Sequence, residues 1–300
     1  MMQRSIAAMT AAVFLGSTAF AFAADMAVKA RAPVVALPGW TGFYGGVNVG
    51  GTFGDGSFAT TGTPVSFNPA GLLAGAPATM NALAAVLNSN ASRSGSQFIG
   101  GGQFGYNFQL TPAWIAGFEA DIQGLAGNGR TSTVATASSF APFGFPANAY
   151  GANSTFTERL DYLGTVRARV GYLATPSLLT YVTGGLAYGG ANVGSTFNIQ
   201  ETFPGAFATV TPPIFGATST SKTAAGWTIG GGLEWMFGSK WSAKVEYLYY
   251  DLGSVTASIP LTQIINNPPF INTPWATALA QTSTRFDGSI LRFGVNYHLN

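Results

Sequence analysis

The sequence predicts an all-β protein: an eight-stranded antiparallel up-and-down transmembrane β-barrel with short periplasmic turns and four long extracellular loops. Three observations lead to this prediction. Apolar residues make up 47% of the 300-residue chain and charged residues only 8%, against about 25% charged residues in soluble globular proteins. Eight segments alternate between apolar and polar side chains with a period of two. The connections between these segments are alternately short and long, as in outer-membrane barrels.

The residue types that are missing exclude several kinds of site. The chain has no cysteine and a single histidine, so it lacks a disulfide framework and the usual thiolate and imidazole ligands of a metal site. The formal net charge is only +2 and no run of Lys and Arg occurs, which argues against a nucleic-acid partner. We therefore expect no metal, no cofactor and no nucleic-acid partner.

The N-terminal segment has the pattern of a secretory signal. Arg4 supplies a positive start, the stretch Ser5–Ala24 carries no charge, and Ala21-Phe22-Ala23 forms a small-residue cleavage site. This pattern predicts a signal peptide that is removed on secretion; the alternative is a retained membrane helix, which about twenty uncharged residues would only just allow. The expected division of the chain is a signal peptide at 1–23, a periplasmic linker at 24–39 and an outer-membrane barrel domain at 40–300.

Eight runs rich in aromatic and β-branched residues follow the linker, and each exceeds the about 9–11 residues that a membrane strand requires. The fifth run fits both strand registers, and we favour the one that places Val182 and Leu186 outward. The runs are Gly42–Phe53, Ser96–Gln109, Ala113–Leu125, Glu158–Ala174, Ser177–Gly190, Ala224–Phe237, Trp241–Leu252 and Arg285–Leu299.

Alternate positions in these runs differ in polarity. In the seventh run, Trp241, Val245 and Tyr247 share one face, whereas Lys244 and Glu246 share the other. In a membrane barrel the apolar face meets lipid and the polar face meets the lumen. The charged residues that this pattern assigns to a polar network in the lumen are Glu119, Asp121, Asp161, Arg167, Arg169, Glu234, Lys244, Glu246 and Arg292.

The connections and the aromatic residues indicate the orientation. Connections after the even-numbered runs are tight turns such as Thr111-Pro112, whereas the others span roughly 30–40 residues, a length that is uncommon in compact soluble domains. Within the first long connection, Met80, Leu83 and Leu87 have helical spacing and predict a short helix. Aromatic residues cluster at the short-turn ends, as in the interfacial girdles of barrels. The predicted periplasmic girdle comprises Trp40, Phe43, Phe108, Trp114, Tyr172, Trp235, Trp241 and Tyr297.

The predicted strand number limits what the interior can do. Eight strands leave a lumen just wide enough for side chains to fill, and buried charges need partners there. We expect the lumen charges to form a polar plug, so that the protein is mainly structural and passes small solutes to a limited extent. The alternative for the same residues is a narrow ion or solute path lined by charge.

Surface recognition and catalysis are the alternatives to a structural role. The long loops would serve adhesion or recognition if their aromatic residues formed a contact patch, although such residues more often pack the loops together. An enzyme is not expected, because His298 is the only histidine and no Gly-x-Ser-x-Gly motif occurs. We therefore predict no catalytic residue. The loop aromatic residues are Phe140, Phe143, Phe145, Phe203, Phe207, Phe215 and Trp275.

Several motifs carry a resemblance to a known family. They are Ala23-Ala24-Asp25, Trp40-Thr41-Gly42-Phe43-Tyr44-Gly45-Gly46, Tyr181-Val182-Thr183-Gly184-Gly185-Leu186-Ala187-Tyr188, Val245-Glu246-Tyr247-Leu248-Tyr249 and Leu291-Arg292-Phe293-Gly294-Val295-Asn296-Tyr297-His298. With them the chain resembles the outer-membrane immunogenic proteins of alphaproteobacteria, a porin-like family with the OmpA-type transmembrane fold. The resemblance covers nearly all the strands and both ends but not the long loops. It implies a location in the outer membrane and exposure at the cell surface.

The resemblance also implies partners. Outer-membrane lipid and lipopolysaccharide would surround the barrel, and the barrel-assembly machinery would insert it; an extracellular ligand stays unidentified. Family members usually finish on an aromatic residue, whereas this chain finishes Tyr297-His298-Leu299-Asn300. We expect either less efficient assembly or recognition of Tyr297 instead.

Overall fold

A computed structural model describes residues 39–67, 76–127, 129–141, 148–202, 212–267 and 270–299. The expected signal peptide and most of the expected linker lie outside the described residues. No helix in the described part of the chain is long and apolar enough to cross a membrane. The described elements are β1 Gly42–Phe67, α1 Ala76–Leu87, β2 Ser89–Gln109, β3 Trp114–Ala126, β4 Arg130–Phe140, β5 Asn148–Thr175, β6 Leu178–Thr202, β7 Ile214–Met236, β8 Trp241–Asn267 and β9 Phe270–His298.

The strands form one closed antiparallel sheet. Strands that follow one another in sequence are paired, except that β3 pairs with β5 instead of β4, and β1 pairs with β9 to close the ring. β3 and β4 share one position, because β3 pairs with the C-terminal half of β5 and β4 pairs with its N-terminal half. The nine described strands therefore form a ring of eight, as the sequence predicts.

The strands extend well beyond the predicted membrane runs at the long-connection end. β1 continues to Phe67 and β6 to Thr202, while β9 already begins at Phe270. The long connections are thus largely β-hairpins rather than loops. Small residues alternate with polar ones there, as in Ala276, Ala278 and Ala280 of β9, which are all buried. The sequence does not predict these extensions, because alanine is a weak strand former and these segments lack the large apolar residues that mark a face in contact with lipid.

The outer surface of the lower barrel, towards the short turns, is apolar. Phe98 is 60% exposed and Val182 is 67% exposed, and the register of the fifth run is the one we favoured. In β8 this outward apolar face runs from Trp241 to Tyr249. Such a continuous belt is far larger than soluble proteins expose, and lipid is its natural solvent.

The interior of the barrel is filled in layers. An apolar floor of Trp40, Ile115, Leu173, Leu179 and Met236 lies at the short-turn end. A layer of charged and polar side chains follows. Above it are two apolar layers, one around Leu163, Leu248 and Ile290 and one around Phe58, Phe156 and Phe197.

Helix α1 fills the interior at the long-connection end. It begins at Ala76, earlier than the predicted Met80, and ends at Leu87 as predicted. Leu83 and Leu87 are fully buried in the uppermost apolar layer. The Thr136 hydroxyl of β4 donates a hydrogen bond to the Val86 carbonyl at 2.5 Å. The helix therefore packs inside the wall formed by β1, β4, β5 and β9.

Candidate functional site: a charge network across the lumen

Eight of the nine predicted lumen charges meet inside the lower barrel. All eight are at most 5% exposed, and four carboxylates face four bases, which gives a formally neutral cluster. They are contributed by five strands. The members of this lumen network are Glu119 and Asp121 on β3, Arg167 and Arg169 on β5, Glu234 on β7, Lys244 and Glu246 on β8, and Arg292 on β9.

The ninth residue, Asp161, is a correction. A register irregularity between Leu160 and Leu163 of β5 reverses the inward–outward alternation, so that Leu160 is buried and Asp161 lies outside. Its carboxylate pairs with Arg159 at 2.7 Å and accepts a hydrogen bond from Asn192 at 2.7 Å. A strict period of two cannot reveal such a bulge, because one extra residue moves all that follow to the other face.

Arg167 and Arg292 form the centre of the network. Arg167 donates to Glu246 at 2.9 Å, to Glu119 at 2.5 Å and to Asp121 at 2.9 Å. Arg292 donates to Glu246 at 2.7 Å and to Asp121 at 2.8 Å. Each guanidinium thus joins carboxylates of β3 to a carboxylate of β8, which its planar fork of donors favours.

Lys244 closes the network across the ring. Its ammonium group donates to both carboxylate oxygens of Glu119, at 2.7 and 2.8 Å. β8 and β3 are four positions apart in the eight-membered ring, so this ion pair joins opposite walls. Side chains from opposite walls therefore meet across the full diameter of the barrel at this level.

Arg169 is held in place by one carboxylate and by neutral polar and aromatic groups. Its guanidinium carbon lies 4.7 Å from the centre of the Tyr44 ring and 5.3 Å from that of Tyr181. Asn107 accepts hydrogen bonds from two guanidinium nitrogens at 2.9 and 2.7 Å, and Glu234 accepts a third at 3.0 Å. Aromatic faces and polar groups together offset the desolvation of this cation.

Glycines on the neighbouring strands make room for these long side chains. Arg167 pairs with Gly185, and Glu119 pairs with Gly105. A β-carbon on Gly185 would lie 2.2 Å from the Val166 carbonyl oxygen, and one on Gly105 would lie 2.3 Å from the Tyr44 hydroxyl. A larger residue at these inward positions would collide with the neighbouring strand or side chain, so glycine is required there. This explains part of the high glycine content of the runs.

Ser242, His298 and Glu234 also meet near the floor, an arrangement that sequence reasoning missed. The Ser242 hydroxyl donates to Glu234 at 2.6 Å and lies 3.0 Å from the Nε2 of His298. A nucleophilic triad places the carboxylate at the other ring nitrogen, whereas Glu234 lies 3.8 Å from the same Nε2. All three residues are at most 1% exposed. The arrangement is that of a buried polar cluster.

Seven of the eight predicted girdle residues lie on the outer surface near the short turns. Pairs of them make edge-to-face contacts there; the ring centres of Trp114 and Tyr172 are 5.5 Å apart, and those of Trp241 and Tyr297 are 5.0 Å apart. The outward residues, which are 36–54% exposed, are Phe43, Phe108, Trp114, Tyr172, Trp235, Trp241 and Tyr297.

Trp40 is the exception and corrects the prediction. It is fully buried in the floor, where its indole N–H donates to the Pro176 carbonyl at 3.0 Å and its ring contacts His298 edge-on. Trp40 precedes β1, so the alternation of that strand does not determine its direction. Trp40 therefore forms part of the apolar floor below the lumen network.

The polar groups above the apolar belt are paired as well. Arg285 on β9 bonds the carboxylate of Asp251 on β8, and this hydrogen bond holds the pKa of Asp251 below its ordinary value. Higher up, the Tyr150 hydroxyl donates to Gln263 at 2.7 Å, and burial raises the pKa of that phenol. The upper barrel is thus an ordered extension of the lower one.

Of the loop aromatic residues, two are described with their side chains. Phe140 stacks on Tyr150 with ring centres 5.2 Å apart, which is the packing role that we considered more common. Phe215 is 69% exposed. The side chains of Phe143, Phe145, Phe203, Phe207 and Trp275 lie outside the described residues.

A closed antiparallel ring with an apolar outer belt, aromatic residues near the short turns and charges confined to the lumen defines an outer-membrane β-barrel protein. The family model for the outer membrane protein beta-barrel domain matches residues 12–298. The chain belongs to this family, and the protein resides in the outer membrane, with its short turns periplasmic and its long hairpins extracellular.

Two relatives are the 31 kDa outer-membrane immunogenic proteins of Brucella melitensis and Brucella suis. Each is 34% identical over 262 residues, which cover 84% of this chain and 88% of the relative. The family resemblance found in the motifs is therefore confirmed. Among solved structures, OprG of Pseudomonas aeruginosa is 12% identical to this chain, with a TM-score of 0.35, and the match covers 87% of this chain and 97% of OprG.

Proposed function

We propose that this protein is a closed structural barrel of the outer membrane, without enzymatic activity, whose conductance for small solutes is low and intermittent. The observation that carries the proposal is the ion pair of Lys244 and Glu119, which joins opposite walls at 2.7 Å. A general porin keeps a water-filled lumen. Here the charges compensate one another instead of lining a path.

The apolar layers support the same function. An ion that passed the lumen network would next meet the apolar layer around Leu163, Leu248 and Ile290. Transfer of an unpaired ion into such surroundings is costly. Conduction would therefore require concerted displacement of the network and of α1.

Liposome swelling tests this proposal. Vesicles that contain the folded protein, verified by its heat-dependent gel migration, are diluted into isotonic solutions of sugars of increasing size. We expect swelling no faster than in protein-free vesicles, with a general porin as the positive control. Fast swelling with a size cut-off would contradict the proposal.

Surface recognition is a second candidate, supported by the long extracellular hairpins. β8 and β9 alone pair from Ser254–Arg285 up to Asn267–Phe270, well beyond the apolar belt. A rigid scaffold of this kind commonly presents binding residues. Cells that display the protein should then bind a ligand-coated surface better than cells that display a variant with this hairpin shortened, while swelling rates stay equal.

A further inference from the structure

A pocket of about 500 Å³ lies on the outer wall of the extracellular half, outside the lumen network. This volume is within the range of about 300–1,000 Å³ typical of small-molecule sites. The pocket is lined by three adjacent strands. The outward side chains around it are Asn153 and Thr155 from β5, Thr196 and Asn198 from β6, and Phe215 and Ala217 from β7.

The strand register explains this grouping. Asn153, Asn198 and Phe215 form one cross-strand row. Thr155, Thr196 and Ala217 form the next row towards the membrane. The result is a surface of amides and hydroxyls with one aromatic ring at its side and no charged residue in its lining.

Two features of the pocket indicate a ligand. Phe215 is 69% exposed, which leaves a large aromatic surface open beside the polar row. The Oδ1 of Asn198 is buried and has no hydrogen-bond partner among the described residues. A buried acceptor without a partner is costly, and a ligand hydroxyl bound against Asn198 would supply the missing donor.

The chemistry of the lining selects the class of ligand. An anion such as a phosphate would require Arg or Lys, and an acyl chain would leave the amides without partners. A neutral saccharide fits both the polar lining and the aromatic ring of the pocket. Its hydroxyls would bond to the amides and hydroxyls, and its C–H face would pack on the aromatic ring.

The position of the pocket selects the source of the saccharide. Thr155 precedes Val166, which is 50% exposed in the apolar belt, by eleven positions. At about 3.3 Å per residue this is roughly 35 Å along the tilted strand. The wall there faces sideways above the lipid, in the layer occupied by the sugars of lipopolysaccharide. We propose that this pocket binds a neutral sugar of neighbouring lipopolysaccharide molecules.

Saturation-transfer NMR with the full-length folded protein in micelles tests the proposal. The probes are the core oligosaccharide released by mild acid from lipopolysaccharide of the source bacterium, and maltotriose as an unrelated neutral saccharide. We expect transfer to the core oligosaccharide, with affinity reduced about fivefold by Phe215→Ala, as loss of one aromatic contact would produce. Phe215→Trp should retain binding.

A matched control variant is Thr61→Ala, which alters an exposed residue of β1, four strand positions from β6 in the ring. It should bind as the wild type does, and every variant must show normal heat-dependent gel migration. Equal binding of maltotriose would overturn the assignment to lipopolysaccharide. The absence of any Phe215-dependent transfer would overturn the site itself.

Discussion

Arg292 lies directly opposite Gly50 in the pairing of β9 with β1. A β-carbon on Gly50 would lie 2.2 Å from the Leu291 carbonyl oxygen and 2.8 Å from the Cβ of Arg292. A β-carbon on the adjacent Gly51 would have the Gln97 carbonyl oxygen as its nearest atom, at 3.7 Å. Two consecutive glycines therefore have different roles, one in clearing space for a lumen arginine and one on the outer face.

We predict that Gly50→Ala disturbs the barrel and Gly51→Ala does not. Overpacking at Gly50 should destabilise the folded state by about 1–3 kcal/mol, because backbone and not a flexible side chain obstructs the new methyl group. The midpoint of urea unfolding, followed by heat-dependent gel migration, measures the difference. Equal midpoints for the two variants would show that the lumen has spare room at this position.

A second prediction concerns the ion pair across the ring. Lys244→Ala removes the ammonium group that bonds both carboxylate oxygens of the buried Glu119. The loss should lower the free energy of unfolding by about 3–5 kcal/mol. The double variant Lys244→Met with Glu119→Leu removes both charges and should be more stable than Lys244→Ala. A double variant that is at least as unstable would mean that Arg167 and Arg292 depend on Glu119 more than Lys244 does.

The two aspartates that sequence analysis grouped together should behave differently. Asp121→Ala removes the carboxylate shared by Arg167 and Arg292 and should cost about 3–5 kcal/mol. Asp161→Ala affects an exposed ion pair on the outer wall and should cost at most about 1 kcal/mol. Unfolding midpoints in urea decide this, and a large loss from Asp161→Ala would place that residue inside after all.

The pairing of Asp251 with Arg285 should depend on pH. Because the pKa of Asp251 is lowered in the folded state, the stabilisation is present above the ordinary aspartate pKa of about 4. It is lost as the pH falls through the lowered value. The Gly253 N–H donates to this carboxylate at 2.9 Å, so its NMR shift reports the titration. Arg285→Gln should raise the titration midpoint; an unchanged midpoint would exclude Arg285 as the cause.

The sequence predicted the strand number, the ring and eight lumen charges, because lipid imposes a strict alternation that has few alternatives. Asp161 was misplaced because a bulge has no compositional signal. Trp40 was misplaced because it precedes the strand whose alternation we applied. The clustering of Ser242 with His298 was missed because it joins the start of β8 to the end of β9, and only register brings these together.

The most direct test of a closed lumen is single-channel recording of the purified, folded monomer in a planar lipid bilayer at high KCl concentration. We expect a quiet baseline with at most small, brief openings, and more frequent openings after Lys244→Ala. A stable, large conductance from the wild-type monomer would contradict it.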